Sequence, residues 1–161
     1  MIPFERFTTE YDPVEDRIRI NGVGAAGQRV TLWLNQRMMR LLLPQLCNWV
    51  EAKVSTEQGG RSPAVQEFHQ AAAAATLTPD QPPVAPLGSG VLVVSIDYTD
   101  LGNVIRLTFK NLSGTQLALV DFPEMGLRQW LAIVHGLYLA ADWPVDPFPA
   151  WLISNSTTCL N

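Results

Sequence analysis

Four side chains in this sequence, two histidines and two cysteines, are of the types that bind transition metals or act as nucleophiles. They are Cys47, His69, His135 and Cys159. A zinc site usually shows at least two such ligands a few residues apart, and no two of these are so close. We therefore expect no metal and no cofactor. Cys47 lies in an apolar helical stretch and is predicted to be a buried, unreactive thiol, whereas Cys159 lies in a polar tail, so no disulfide framework is expected.

A glycine-rich segment offers a second possible site. Gly22, Gly24 and Gly27 have the G-x-G-x-x-G spacing of dinucleotide-binding loops. In those loops the third glycine opens a helix whose N-terminus holds a pyrophosphate. Here residues 28–34 alternate between polar and apolar, which is typical of a strand, so we predict a hairpin loop.

Three neighbouring carboxylates, Asp12, Glu15 and Asp16, could perform acid–base chemistry if one of them were buried. The dipeptide Asp12-Pro13 is typical of a turn, which predicts a solvated position. The sequence also contains no nucleophile elbow, P-loop or C-x-x-C pair. We therefore predict no catalytic residues and a protein that is not an enzyme.

Alternating hydrophobicity predicts strands in the first part of the chain. Residues 16–21 and 28–34 alternate with period two, and residues 4–11 form a further candidate strand. A helix is predicted over 36–54, with Asn35 as its N-cap and a kink or break at Pro44. A second helix starts at Ser62-Pro63 and extends through the alanine-rich run to residue 75.

The second part of the chain predicts a three-strand meander and a last helix. The strands lie at 91–98, 104–110 and 115–122, and the connections between them are too short for a helix, so the pairing must be antiparallel. The last helix covers 123–141. A Pro-rich loop at 76–90, predicted to be mobile, and an aromatic and Pro-rich tail at 143–161 complete the chain.

The predicted fold class is therefore α+β. An antiparallel β-sheet, as a sandwich or half-barrel, is interrupted by a helical hairpin and followed by a C-terminal helix, in the order (β)ββ-αα-βββ-α. The length of 161 residues fits a single domain over 1–161.

This order of elements resembles one known superfamily. Thr31-Leu32-Trp33-Leu34 leads into the first helix, and 91–122 leads into the helix at 123–141. Such an arrangement is similar to the head domains of the end-joining DNA-repair scaffolds and the centriole-scaffold proteins. The resemblance implies a scaffold-type, non-enzymatic domain. In that superfamily the final helix continues into a dimerising coiled coil, whereas here Trp143-Pro144 ends the helix.

Charge and hydropathy restrict the partners. The net charge is −4 and no basic stripe occurs, so we expect no nucleic-acid partner. The longest nearly uncharged apolar run, 130–141, is shorter than the ~20 residues of a membrane span. The N-terminus has no charged leader followed by an apolar run, which predicts a cytoplasmic protein.

Two stretches carry the residue types that are enriched at protein interfaces. One is the apolar first helix and the other is the aromatic tail, and core packing is the alternative for both. The candidate partner-binding residues are Arg37, Met38, Arg40, Leu41, Trp49, Trp143, Phe148 and Trp151. We predict a non-catalytic interaction or assembly module that binds a protein partner or itself, with a homodimer as one form. The alternative is a small-ligand-binding protein or minor enzyme with a pocket between the sheet and the first helix near Pro44.

Overall fold

A computed structural model describes residues 1–78 and 81–157 of the chain. These residues form two compact units, one of residues 1–39 and 81–123 and the other of residues 40–78 and 124–157. The elements in chain order are β1 (Ile2–Pro3), β2 (Arg6–Asp12), β3 (Arg17–Val23), β4 (Arg29–Leu34), α1 (Gln36–Lys53), a 3-10 turn (Thr56–Gln58), α2 (Pro63–Ala75), β5 (Val91–Leu92), β6 (Ser95–Asp100), β7 (Val104–Lys110), β8 (Gln116–Pro123), α3 (Glu124–Ala141) and α4 (Ala150–Thr157). The predicted α+β class is confirmed.

One sheet of the first unit has the order β2-β3-β4-β5. Strands β2, β3 and β4 are antiparallel neighbours, and β5 adds a short parallel ladder to β4. The alternation in the sequence sets the two faces: Ile18 and Leu32 are fully buried, while Arg17 and Arg29 point to the other side. The glycine motif spans the end of β3 and the β3–β4 hairpin loop, with Gly27 at φ +78, so its glycines do not open a helix.

The other sheet has the order β1-β8-β7-β6. The predicted meander of β6, β7 and β8 is antiparallel throughout, and β1 pairs with β8 in parallel. Strand β7 buries Ile105, Leu107 and Phe109 from alternate positions, as its sequence predicts. The short connections of the meander therefore set its topology.

The chain passes from one sheet to the other at two corners. The amide of Phe4 donates to β8, whereas that of Glu5 donates to β3. In the same way Val93 donates to β4 and Val94 to β7. The predicted single strand over 91–98 is therefore wrong, because the chain changes sheets inside it. Val93 is buried at this corner and Val94 is 44% exposed.

Helix α1 begins where the sequence predicts and continues through its proline. The Asn35 side-chain oxygen accepts the backbone N–H of Met38 at 2.8 Å, which confirms the N-cap. Of the predicted kink or break at Pro44, the break does not occur, since α1 is continuous to Lys53, and the kink remains a prediction. Pro44 is exposed and removes a single hydrogen bond, while Leu43 and Leu46 beside it are fully buried and stabilise the helix by packing.

The second unit contains α2, α3 and α4. Helix α3 ends at Ala141, and the next residue, Asp142, has φ +55. The amide of Trp143 donates to the Tyr138 carbonyl and that of Asp142 to the Leu139 carbonyl, the pattern of a Schellman motif. Sequence reasoning missed α4, which covers part of the predicted tail. None of the helices in the described part of the chain is long and apolar enough to cross a membrane.

The Pro-rich loop is irregular where the structure describes it, at 76–78 and 81–90. Its second part lies on the outer face of the β2-β3-β4 sheet, where side chains of that sheet bond to its backbone. The mobility of the loop remains a prediction.

Candidate interaction surface

Cys47 is 4% exposed in α1. Burial raises the pKa of its thiol to about 12, with a smaller contribution in the same direction from Glu51. A nucleophilic or metal-binding cysteine needs the thiolate, which this environment disfavours. The prediction of a buried Cys47 is confirmed, while Cys159 lies outside the described residues.

His135 is 1% exposed in α3, with its ring edge-on to Phe148 at 4.9 Å between ring centroids. Desolvation by burial lowers the pKa of this imidazole, so the neutral form is favoured. Among residues 1–78 and 81–157, no group of three or more His, Cys, Asp and Glu side chains could hold a metal ion.

A buried polar cluster surrounds Arg128, a residue that is 1% exposed. Its guanidinium donates to Glu124 at 2.9 Å, to the Gln66 side chain at 2.7 Å and to the Val50 carbonyl at 3.2 Å. Gln70 donates to the Arg128 carbonyl at 2.9 Å. The cluster connects α1, α2 and α3, and its hydrogen bonds to one buried guanidinium stabilise the packing of the three helices.

The acidic turn is structural as well. The Asp12 carboxylate accepts the backbone N–H groups of Val14 and Glu15 at 2.9 and 3.1 Å, which makes an Asx-turn. Its other oxygen pairs with Arg19 at 3.1 Å. Both acceptors of Asp12 are thus occupied in holding the β2–β3 connection.

The aromatic candidates of the tail lie in the core. Trp143, Phe148 and Trp151 are 4–7% exposed, and Trp49 of α1 is 8% exposed. Trp143 packs edge-on against Tyr138 at 5.1 Å, and Trp151 donates to Glu51 at 2.8 Å. These four side chains are therefore not available at the surface of the chain as described.

The other candidates on α1 are accessible. Arg37, Arg40 and Leu41 are exposed, and Met38 is half-buried. Leu41 is 69% exposed, and Arg40 pairs with Asp146 at 2.9 Å. A partner-binding role for these four residues remains a prediction.

A surface that sequence reasoning missed lies on α3, opposite its buried stripe. It is formed by residues that recur at alternating spacings of four and three: Met125, Gln129, Ala132, Gly136 and Leu139. We call these five residues, with the flanking Ile133, the α3 outer face. Met125 is 56%, Leu139 52% and Ile133 36% exposed. Alternating spacings of four and three place side chains along one line of a helix, as in a coiled-coil seam.

The α3 outer face is free of charged side chains. Glu124 and Arg128 are the only charged residues of α3, and Arg128 points into the core. A surface helix normally carries charged residues on its solvent side, so an uncharged outer face is unusual. Its one polar side chain, Gln129, is half-buried and donates to the Ala73 carbonyl of α2 at 3.2 Å. In the sequence, the α3 outer face is indicated only by the nearly uncharged run at 130–141. This run is long enough to include residues on both faces of the helix.

Gly136 lies at the centre of the exposed part of this face. A Cβ atom built at Gly136 would meet no atom within 4 Å beyond its chain neighbours and the adjacent backbone of α3. A second helix can therefore come close to the backbone of α3 here, as small residues permit at helix crossings. The face can bury apolar area without bringing like charges together.

Comparison with known proteins gives no relative, since no family model, no curated protein and no solved structure matches this chain.

Proposed function

We propose that the protein is a non-catalytic assembly module that associates with a second copy of itself through the α3 outer face. The observation that carries this proposal is the uncharged and largely apolar side of α3, on which Met125, Ile133 and Leu139 are exposed to solvent. Apolar patches that a monomer leaves exposed mark sites of association.

A second copy is favoured over an unrelated partner by symmetry and charge. In a two-fold dimer the same patch meets itself, so a charge close to the symmetry axis faces its own like-charged copy. The α3 outer face carries no charge and pays no such penalty. Its four-three spacing also suits helix pairing, in which side chains of one helix fit between those of the other.

The scaffold-type function that the order of elements implies is compatible with this proposal. In the head-domain superfamily that the element order resembles, dimerisation uses a continuation of the final helix. Here α3 ends at Ala141, so the pairing we propose uses the helix of the domain itself. A cytoplasmic location and the absence of a nucleic-acid partner remain proposals.

The test is sedimentation velocity on the wild-type chain and on Gly136→Glu. At micromolar concentrations we expect the wild-type chain to sediment as a dimer, with twice the 17.8 kDa mass of one chain. We expect the variant to sediment as a monomer. The open space at Gly136 lets the new side chain point to solvent without strain in the monomer. Gly136→Glu should therefore fold, which circular dichroism can verify.

The matched control is Val14→Glu, which adds the same charge at an apolar side chain 91% exposed in the β2–β3 turn. It should leave the mass of the dimer unchanged. A wild-type chain that remains monomeric up to several hundred micromolar would refute self-association through this face.

A further inference from the structure

The Pro-rich segment 81–90, which we call the strap, is held by side chains of the β2-β3-β4 sheet. Arg6 of β2 donates to the Pro82 carbonyl at 3.0 Å, and Thr8 of β2 accepts the Val84 N–H at 2.8 Å. Arg29 of β4 donates to the Ala85 carbonyl. Thr31 of β4 accepts the Leu87 N–H at 2.7 Å, and Trp33 of β4 donates from its indole to the Ser89 carbonyl at 2.7 Å.

These contacts contain a repeat. Arg6-Phe7-Thr8 and Arg29-Val30-Thr31 are both Arg-x-Thr, and both bind the strap in the same way. In each, the arginine binds a carbonyl and the threonine binds the N–H two residues later in the strap. The second set is displaced by three strap residues from the first, from 82 and 84 to 85 and 87.

The register of the sheet explains why the two sets of contacts are three strap residues apart. Arg6 and Arg29 both pair with Val23, and Thr8 and Thr31 both pair with Asn21, so each pair flanks β3 in one row. Two strand spacings measure about 9.6 Å. A polyproline II helix advances about 9.3 Å in its turn of three residues. An extended Pro-rich segment that crosses the strands therefore presents the same backbone groups to β2 and then to β4.

The prolines of the strap fit this arrangement. They stand at 82, 83 and 86, where no N–H is bound. The two bound N–H groups belong to Val84 and Leu87, where a proline would remove the donor. The strap thus follows the rule Pro-Pro-x-x-Pro-x, with an N–H required at the third and sixth positions.

A buried polar network beneath the strap orients the receiving groups. Asn21 and Thr31 are 0% and 2% exposed, and Thr31 donates its hydroxyl proton to Asn21 at 3.0 Å. Asn21 in turn donates to Glu10 at 3.1 Å, and Glu10 also binds Arg19 at 2.8 Å. The Thr31 oxygen is left with lone pairs for the Leu87 N–H. Such fixed acceptors reduce the ordering cost of binding a ligand.

We infer that this sheet face is a recognition site for a neutral, extended, Pro-containing segment of a partner protein, and that the strap occupies it as a ligand in cis. All five contacts reach the strap backbone, so another segment with the same pattern of prolines and N–H groups can replace it. The strap has one buried side chain, Val84, at 5% exposed, and its other residues are largely exposed. The inference does not depend on self-association through α3.

An open depression borders the strap site at Gln81. It has a volume of about 540 Å³ and is lined by Glu5, Arg6, Val23 and Gly24. A covalently attached strap has an effective concentration near millimolar, so a partner segment must displace it.

The test uses a full chain in which residues 81–89 are replaced by Gly and Ser in equal number. Its probe is a fluorescein-labelled peptide with the sequence of residues 81–90, followed by fluorescence anisotropy. We expect saturable one-to-one binding, at least tenfold tighter than to the wild-type chain, whose strap competes. If the replaced chain does not fold, the full chain with Leu87→Pro, which weakens the strap by one donor, takes its place.

Peptide variants test the pattern itself. A peptide with Leu87→Pro loses a bound N–H and should bind roughly tenfold more weakly. A peptide with Ala85→Pro is the matched control, because the N–H of Ala85 is not bound, and it should keep its affinity. On the protein, Thr8→Val should weaken binding, whereas Thr99→Val in exposed β6 should not. Failure of a folded strap-replaced chain to bind the peptide, or equal losses for the two proline peptides, would overturn the inference.

Discussion

At the scale of single residues, burial determines what the ionisable side chains can do. If the protein were an enzyme, Cys47 would be a candidate nucleophile and His135 a candidate general base. Burial raises the thiol pKa of Cys47 and lowers the imidazole pKa of His135, so both are held neutral near pH 7. Their environments suit core residues, and this supports the proposed non-catalytic function.

His135 gives the fold a pH dependence whose sign follows from its pKa. The unfolded chain protonates this imidazole with a pKa near 6.5, whereas the folded chain holds it neutral to lower pH. Unfolding therefore takes up a proton below pH 6.5, and the stability contributed by neutral His135 is lost as the pH falls from 7 to 5.

The measurement is urea unfolding of the wild-type chain and His135→Gln between pH 7.5 and 5. The stability of the wild-type chain should fall more steeply with decreasing pH than that of the variant. His69→Gln, which removes the other histidine, should keep the steeper dependence. Parallel curves for the wild-type chain and His135→Gln would contradict the proposed role of His135.

At the scale of elements, the C-terminal end of α3 is held by one residue in an unfavourable conformation. Asp142 has φ +55, where a side chain costs energy that glycine avoids. Asp142→Gly should therefore stabilise the fold by about 1 kcal/mol, measured by thermal or urea unfolding. Asp142→Ala removes the same charge but keeps a Cβ, and it should not stabilise. An equal gain from both variants would assign the effect to charge rather than to backbone conformation.

Most elements could be predicted from the sequence because their patterns are local. Alternation predicted β3, β4 and β7, and the Asn35 cap predicted the start of α1. Pro44 predicted a kink or break, and the break does not occur, since buried neighbours in α1 outweigh one lost hydrogen bond. Neither the change of sheet at Val93 nor the short α4 has a local signature, because both depend on which surface the chain meets.

The candidate surfaces were harder to predict than the elements. The sequence marks Trp49, Trp143, Phe148 and Trp151 as interface residue types, but aromatic residues are equally suited to a core, where the structure has them. The α3 outer face has no distinctive residue type. It becomes visible only when the opposite side of the helix is seen to be buried. The Arg-x-Thr repeat likewise acquires meaning only through the register of β2, β3 and β4.

At the scale of the whole molecule, the two proposed surfaces lie on different compact units. The strap site belongs to the unit of residues 1–39 and 81–123, and the α3 outer face belongs to the other. A chain that binds itself through one unit and a Pro-containing segment through the other would bring two copies of that segment together. Two linked sites of this kind raise the overall affinity for a bivalent partner.

Self-association through α3 is tested most directly by a disulfide between two copies. In a Cys159→Ser background, Cys47 remains buried, and Gly136→Cys places a single accessible thiol where the two helices are proposed to cross. Mild oxidation should convert most of this chain into a disulfide-linked dimer on a non-reducing gel, because a crossing at Gly136 brings the two thiols within bonding distance. Val14→Cys in the same background, exposed on the other unit, should cross-link only slowly. Equal cross-linking of the two variants would contradict an interface at the α3 outer face.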